Sequence, residues 1–322
     1  MSMTETETLP SFTTIELQTP YGLEHRRVST KLPRDCRSDE IPVIDISGIY
    51  DNSAERIKLA TQVKYAAENS GFFYIKNHGI DEDIISNALQ ASKRFFAQSV
   101  EEKLKVAKTR SRHYNGYNGR GTTQISPSES IDKREAFMWS YDPKLDADVQ
   151  DLNDIPEIVK SWLRCEDFIW DGTSQVPNFK DDIIKYWRAC LKLARSLVKV
   201  FALCQGLPET YFDKLTTYPG ADGVLNYYPG LTADEASKPV TDEVGIGSHT
   251  DLQCFTLLWQ DDIGGLQVLN NEDQWIKAKP IPGTLVVNIG DFLMRMSNDK
   301  FKSTVHRVFN RTTLDRYIII IL

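Results

Sequence analysis

The sequence is short of cysteine, histidine and positive charge, and it has no long apolar run. Its five cysteines, Cys36, Cys165, Cys190, Cys204 and Cys254, are odd in number, and no two stand as CxxC. That excludes a disulfide scaffold and a zinc ribbon, and scattered single thiols suit a reducing compartment. No stretch of about 18 apolar residues occurs, so no membrane-spanning helix is expected. The opening MSMTETETLP has neither a basic n-region nor an apolar h-region. It does not read as a secretory signal, and a cytoplasmic location is expected. Lys and Arg number 38 against 45 Asp and Glu, a net charge of −7. Without a long basic run, such a chain is a poor partner for nucleic acid or an anionic membrane. Phosphate-binding loops are missing too. NGRG and IGD match neither G-x-G-x-x-G nor a Walker A pattern, which excludes a nucleotide cofactor held in that way.

What remains is an ordinary globular mixture, 41% hydrophobic and 26% charged over 322 residues. That is enough for one large domain or two ordinary ones. Residues 1–40 are polar, threonine-rich and interrupted by proline, and they read as an arm over the surface, partly disordered. IPVIDIS (Ile41–Ser47) alternates apolar and polar residues, as a strand does. Residues 54–69 have helical spacing, with Ile57, Ala60, Val63, Ala66 and Ala67 on one face. Gly71–Ile80 reads as a strand and turn, 82–98 as a helix ending in Phe95 and Phe96, and 111–130 as a long loop. A strand is expected at 132–141. A long amphipathic helix is expected at 178–205, closed by Gly206. From about residue 220, short β-branched and aromatic runs alternate with turn signals, the texture of a sandwich or barrel. No linker separates the halves. A helix-rich region, 41–219, is therefore expected to pack on a β core, 220–322, as one structural unit.

The sharpest local feature is His249-Thr250-Asp251. On a strand, residues i and i+2 project from the same face, so one imidazole and one carboxylate can reach the same point. A second imidazole is available from His306 in TVHRVFN, another strand-like run. Two histidines and a carboxylate with open positions form the facial triad of non-haem Fe(II) oxygenases. Three such ligands plus water also suit catalytic zinc. By itself an HxD pair more often marks a surface turn or a hydrogen-bonded core histidine. The remaining histidines read as structural or solvated: His78 in a turn, His25 in the arm, His113 on a loop.

Weak motifs surround this pair in a fixed order. They are NYYP (Asn226–Pro229), SHTD (Ser248–Asp251), GGLQV (Gly264–Val268), Trp275, PGTLVVNIGD (Pro282–Asp291), KSTVHRV (Lys302–Val308) and Arg316-Tyr317. With IPVIDIS and GFFYIKNHGI upstream, the pattern resembles the isopenicillin N synthase-like branch of the 2-oxoglutarate/Fe(II) dioxygenases from about Ile41 onward. The resemblance implies a mainly β fold with flanking helices, a double-stranded β-helix or jelly roll. It implies His249, Asp251 and His306 as iron ligands and Arg316 as the grip on the distal carboxylate of 2-oxoglutarate. It also places Asn226 and Tyr228 near the co-substrate carboxylates. Arginine suits that role because it pairs with carboxylate bidentately and stays charged when buried. Relatives line the substrate entrance with the region around HYNGYNGRG, so Arg120 is a candidate for a substrate carboxylate, against the reading of a solvated loop arginine. Phe137 in DKREAFMW is a candidate for the pocket wall, against the reading of core packing.

The resemblance thus implies a monomeric enzyme that uses Fe(II), 2-oxoglutarate and O2. It would hydroxylate, desaturate or cyclise a small organic molecule, with secondary metabolism the expected setting. Two departures stand out. Relatives carry Arg-x-Ser, whose hydroxyl also binds the distal carboxylate, whereas here Ile318 follows Arg316-Tyr317. The sequence also ends at Leu322 inside a strand-like run, where relatives continue. That suggests a truncated chain and leaves closure of the substrate pocket open. The first departure motivates an alternative, an oxidase of the same fold that dispenses with 2-oxoglutarate and binds its substrate directly at iron.

Overall fold

The computed structural model describes residues 11–19, 22–237 and 243–322. An eight-stranded sheet runs in the order Val43–Asp45, Phe72–Lys76, Thr284–Ile289, Phe255–Gln260, Arg316–Ile321, Gly223–Tyr228, Glu135–Trp139, Gly116–Asn118. A five-stranded sheet runs Arg34–Asp35, Trp275–Lys277, Leu266–Leu269, His306–Val308, Ile246–His249. The sheets pack face to face. Tyr74, Tyr228, Leu258, Val286 and Ile318 from the large sheet meet Ile246, Leu266, Val268, Ile276 and Val308 from the small one. This is the jelly roll with flanking helices. Among the described residues no helix is long and apolar enough to cross a membrane.

The other face of the large sheet carries Leu225, Leu257, Leu285, Val287 and Ile319. It packs on residues of the helices Ser53–Asn69, Glu82–Phe96 and Phe179–Cys204. The strand Arg316–Ile321 is therefore covered on both sides, which explains its unbroken isoleucine run. The Asn52 side chain caps the first of these helices by accepting from the backbone N–H groups of Ala54 and Glu55. Its buried stripe is Leu59, Ala60, Val63, Ala66 and Ala67. Ile57, expected on that stripe, is exposed. At roughly 100° per residue it stands about 120° round the helix from Val63, outside the contact face.

Two further expectations are corrected. The arm is not a loose surface segment from residue 11 onward. Phe12–Thr19 and Gly22–Ser29 form an antiparallel ladder from Phe12↔Ser29 to Thr19↔Gly22. Its Ile15, Leu17 and Val28 bury against Leu269, Trp275 and Val305 of the small sheet and its flank. The alternation Thr14-Ile15-Glu16-Leu17 carried that signal beneath a polar composition. Residues 1–10 of the arm lie outside the described residues. Within the long loop expected at 111–130, Gly116–Asn118 adds an edge strand to the large sheet.

Phe137 does not face the space between the sheets. It pairs in register with Leu225, and both belong to the helix-side core. Its ring meets Phe95 at 4.9 Å and Phe179 at 5.1 Å between centroids. Strand alternation decides this: the neighbours Ala136 and Met138 take the opposite face, in register with Asn226 and Val224. Phe137→Ala should therefore cost about 3–5 kcal/mol of stability, the usual cavity cost for a buried Phe. Denaturant unfolding would measure that loss, and the folded fraction should bind metal as the wild type does.

Candidate active site

His249 is the last residue of the strand Ile246–His249, and His306 is the first of His306–Val308. The two are direct partners in the antiparallel ladder, with ring centroids 4.3 Å apart. Asp251 is not on the strand, contrary to the spacing argument. It lies in the connection to Phe255–Gln260, and that connection is tied down along its length. Asp291 N–H donates to Asp251 O at 2.8 Å, and Gly290 N–H donates to Cys254 O at 2.9 Å. Glycine is required at 290, because a Cβ there would lie 2.1 Å from Gln253 O and 3.0 Å from Asp251 O. The IGD motif is thus the clamp on the carboxylate's loop.

Within this frame Asp251 Oδ1 stands 3.7 Å from His249 Nε2 and 3.8 Å from His306 Nε2. Its Oδ2 accepts from Asn288 Nδ2 at 2.8 Å and from the Thr256 hydroxyl. His249 Nδ1 lies 2.7 Å from Gly247 O, and His306 Nδ1 lies 3.1 Å from Thr304 O. A carbonyl only accepts, so each Nδ1 carries the proton and each Nε2 offers its lone pair. The three ligand atoms lie within 4.8 Å of one another. Two neutral imidazoles and an anionic carboxylate, each fixed by an outer partner, form a donor set that fits a divalent cation.

Beside this cluster, the inward face of the large sheet carries Arg316 paired with Tyr228, and Ile318 paired with Asn226. Arg316 and Tyr228 are fully enclosed. Arg316 Nη2 donates to Gln260 Oε1 at 3.2 Å. Its Nε and Nη1, the Tyr228 hydroxyl and Asn226 Nδ2 are buried without hydrogen-bond partners. Burial lowers Arg316 from its ordinary value and raises the Tyr228 phenol. Arginine still keeps its proton, so both groups remain donors. Buried donors left open are costly, and a compact dicarboxylate would satisfy them.

Sequence reasoning missed two residues here. Arg134 Nη1 donates to Asn226 Oδ1 at 2.6 Å, which fixes the amide with its Nδ2 free. Gln260 is paired in register with Ile318. Both could have been found by strand parity: Arg134 has the parity of Ala136, and Gln260 that of Leu258. Arg120 is set apart from this group. It lines an open cleft of about 790 Å³ with Lys108, Tyr114 and Asn118, and it lies 3.9 Å from Glu235 Oε1. His78 is a turn residue as expected, its Nδ1 accepting from Ile80 N–H at 3.2 Å.

Burial, reinforced by the His306 ring, holds the His249 imidazole far below its ordinary value, at about 3. For Asp251 burial pulls upward. The two imidazoles and the bonds from Asn288 and Thr256 outweigh it and hold the carboxyl below its usual range. Both groups take up fewer protons folded than unfolded as the solution becomes acidic, so stability falls with falling pH. The His249 contribution is complete above the unfolded value near 6.5 and is lost progressively toward pH 3. In metal-free protein, the melting temperature should fall as pH drops below about 6.5. His249→Gln should flatten part of that slope in a thermal-melt series, and an unchanged slope would remove the burial argument.

Two family models match the chain. The non-haem dioxygenase in morphine synthesis N-terminal model covers residues 41–158, and the 2OG-Fe(II) oxygenase superfamily model covers residues 221–322. A 2-oxoglutarate-Fe(II) type oxidoreductase, ppzC, from Metarhizium majus is 45% identical over 281 residues, 86% of this chain and 75% of the relative. Another of that type, hxnY from Emericella nidulans, is 34% identical over 281 residues, 86% of this chain and 77% of the relative. A full-length Neurospora crassa protein, solved in complex with alpha-KG, superposes with a TM-score of 0.70 at 28% identity. That match covers 90% of this chain and 87% of the Neurospora chain. The chain belongs to the 2-oxoglutarate/Fe(II)-dependent dioxygenases: it is an oxidoreductase that uses Fe(II), 2-oxoglutarate and O2 on a small-molecule substrate.

Proposed function

We propose that His249, Asp251 and His306 hold the iron and that Arg316, Tyr228 and Asn226 hold 2-oxoglutarate. The observation that carries this is a pair of unsatisfied sets linked by Arg134, which bonds Asn226 and acts electrostatically on His249: a three-ligand cluster, and buried donors without acceptors. Bound iron supplies O2 activation coupled to decarboxylation of the 2-oxo acid. The protein's own residues do the rest. Gly247 and Thr304 carbonyls hold each ring by its Nδ1 and so turn Nε2 toward the metal position, and Asn288 and Thr256 keep Asp251 anionic and oriented. Arg316 offers its open N–H groups to the distal carboxylate, and Arg134 holds Asn226 with its amide N–H groups facing no protein acceptor. The apolar layer around Tyr228, Ile318 and Leu258 excludes water. An oxidase that bound its substrate directly at iron would leave the Arg316 set without an acceptor, so the 2-oxoglutarate reading is preferred.

In this reading the substrate enters past Arg120 and the cleft it lines, and the outcome is hydroxylation, desaturation or ring formation on a secondary metabolite. The enzyme acts as a monomer in the cytoplasm, a setting that suits five unpaired thiols.

His249→Ala, Asp251→Ala and His306→Ala should each lower bound iron and abolish succinate formation. Full activity in any one of them removes that residue from the ligand set. Arg316→Ala should weaken 2-oxoglutarate binding by about 2–5 kcal/mol, the range for losing one partner of a desolvated charge pair. Coincident 2-oxoglutarate titrations of wild type and variant would place the carboxylate grip elsewhere.

A further inference from the structure

We infer that Gln260 compensates for the hydroxyl that Ile318 lacks: it holds the Arg316 fork in place for the distal carboxylate of 2-oxoglutarate. This rests on the co-substrate reading above and deepens it. In the Arg-x-Ser pattern the residue two beyond the arginine shares its face and brings a hydroxyl to the same carboxylate. Here that residue is Ile318, buried and apolar, with no donor to give. Its register partner on the neighbouring strand is Gln260. Cross-strand partners project side by side, so Gln260 occupies the same end of the same face as Arg316 and Ile318.

The contacts follow that placement. Gln260 Oε1 accepts from Arg316 Nη2 at 3.2 Å, and Gln260 Nε2 donates to Ala278 O at 3.3 Å. Ala278 directly follows the small-sheet strand Trp275–Lys277. One amide therefore ties the guanidinium to the backbone beside the opposite sheet. It engages Nη2 alone and leaves Nε and Nη1 open. A planar fork held at one corner is pre-organised for a carboxylate, and less rotamer freedom is lost on binding. Gln260 acts through Arg316 and is a positioning residue.

The test uses the full chain loaded with Mn(II), a redox-silent stand-in, and reads binding by calorimetry. Two ligands are compared: 2-oxoglutarate, and 2-oxopentanoate, which lacks the distal carboxylate. Gln260→Met keeps length and loses both polar atoms. It should weaken 2-oxoglutarate binding about tenfold or more while leaving 2-oxopentanoate unchanged, a cost near that of one hydrogen bond to a charged group. Adding Ile318→Ser to Gln260→Met should restore most of the loss, whereas Ile318→Ser alone should change little. Gln260→Ala serves as a second variant should Gln260→Met melt early. Equal 2-oxoglutarate affinity in wild type and Gln260→Met overturns the inference, as does a parallel loss for both ligands or a failure of Ile318→Ser to rescue. If metal-loaded wild type binds no 2-oxoglutarate, the co-substrate assignment itself falls, a result distinct from those three.

Discussion

The ladder pairing of His306 with His249 is the contact on which the candidate site depends. It places two imidazoles from segments far apart in sequence with their ring centroids 4.3 Å apart, at the end of the small sheet. Everything that fixes this pairing fixes the metal cluster. The small sheet is pinned on its inward side by packing on the large sheet and flanked on the other by the N-terminal hairpin, whose Leu17 and Val28 bury against Trp275. Asp251 then needs only a short, tightly anchored loop to reach the same point. Gly290 provides that by letting two backbones approach where any side chain would collide.

The large sheet does two kinds of work because its faces have different neighbours. Odd residues of Gly223–Tyr228, such as Leu225, serve the helix-side core, while Asn226 and Tyr228 lie on the opposite face, in register with Ile318 and Arg316. The same alternation governs Arg316–Ile321, where Ile319 packs on helices and Arg316 turns inward. A single-residue slip in register would replace the inward arginine by Tyr317 or Asp315 and put a charge into the helix-side core. Both the stability of the core and the chemistry of the cavity therefore select one register.

Much of this was legible in the sequence. The HxD pair, His306 and the ordered motifs around them were sufficient to anticipate a jelly roll and its donor set. The reason offered for His249 and Asp251 was only half right, since the strand ends at His249 and the loop clamp, not the pleat, places Asp251. Of the two readings of Phe137, pocket wall and packed core, the core one holds, because it pairs with Leu225 and shares its face. The hairpin at 12–29 was hidden because threonine and charge dominate its exposed face while only three apolar residues bury. Parity marks Arg134 and Gln260 as inward-facing, but the partners that give them roles depend on which strands lie next to each other, which composition and spacing do not encode.

Arg316 shows how folding and function are coupled here. A guanidinium fully removed from water carries a large desolvation cost, and one neutral acceptor at 3.2 Å offsets little of it. The Tyr228 ring face, 5.0 Å from its Cζ, adds a modest cation–π attraction. Neither replaces a counter-ion. The fold tolerates the charge because isoleucines and both sheets hold the strand from either side, so that local discomfort cannot unfold it. The consequence is directional. A site that is uncomfortable on its own and satisfied by a carboxylate converts stored desolvation cost into affinity for an anion, and it discriminates against neutral molecules of the same shape. A guanidinium at that depth without a counter-ion favours an anionic partner, and the apolar residue at 318 offers it none on its own strand.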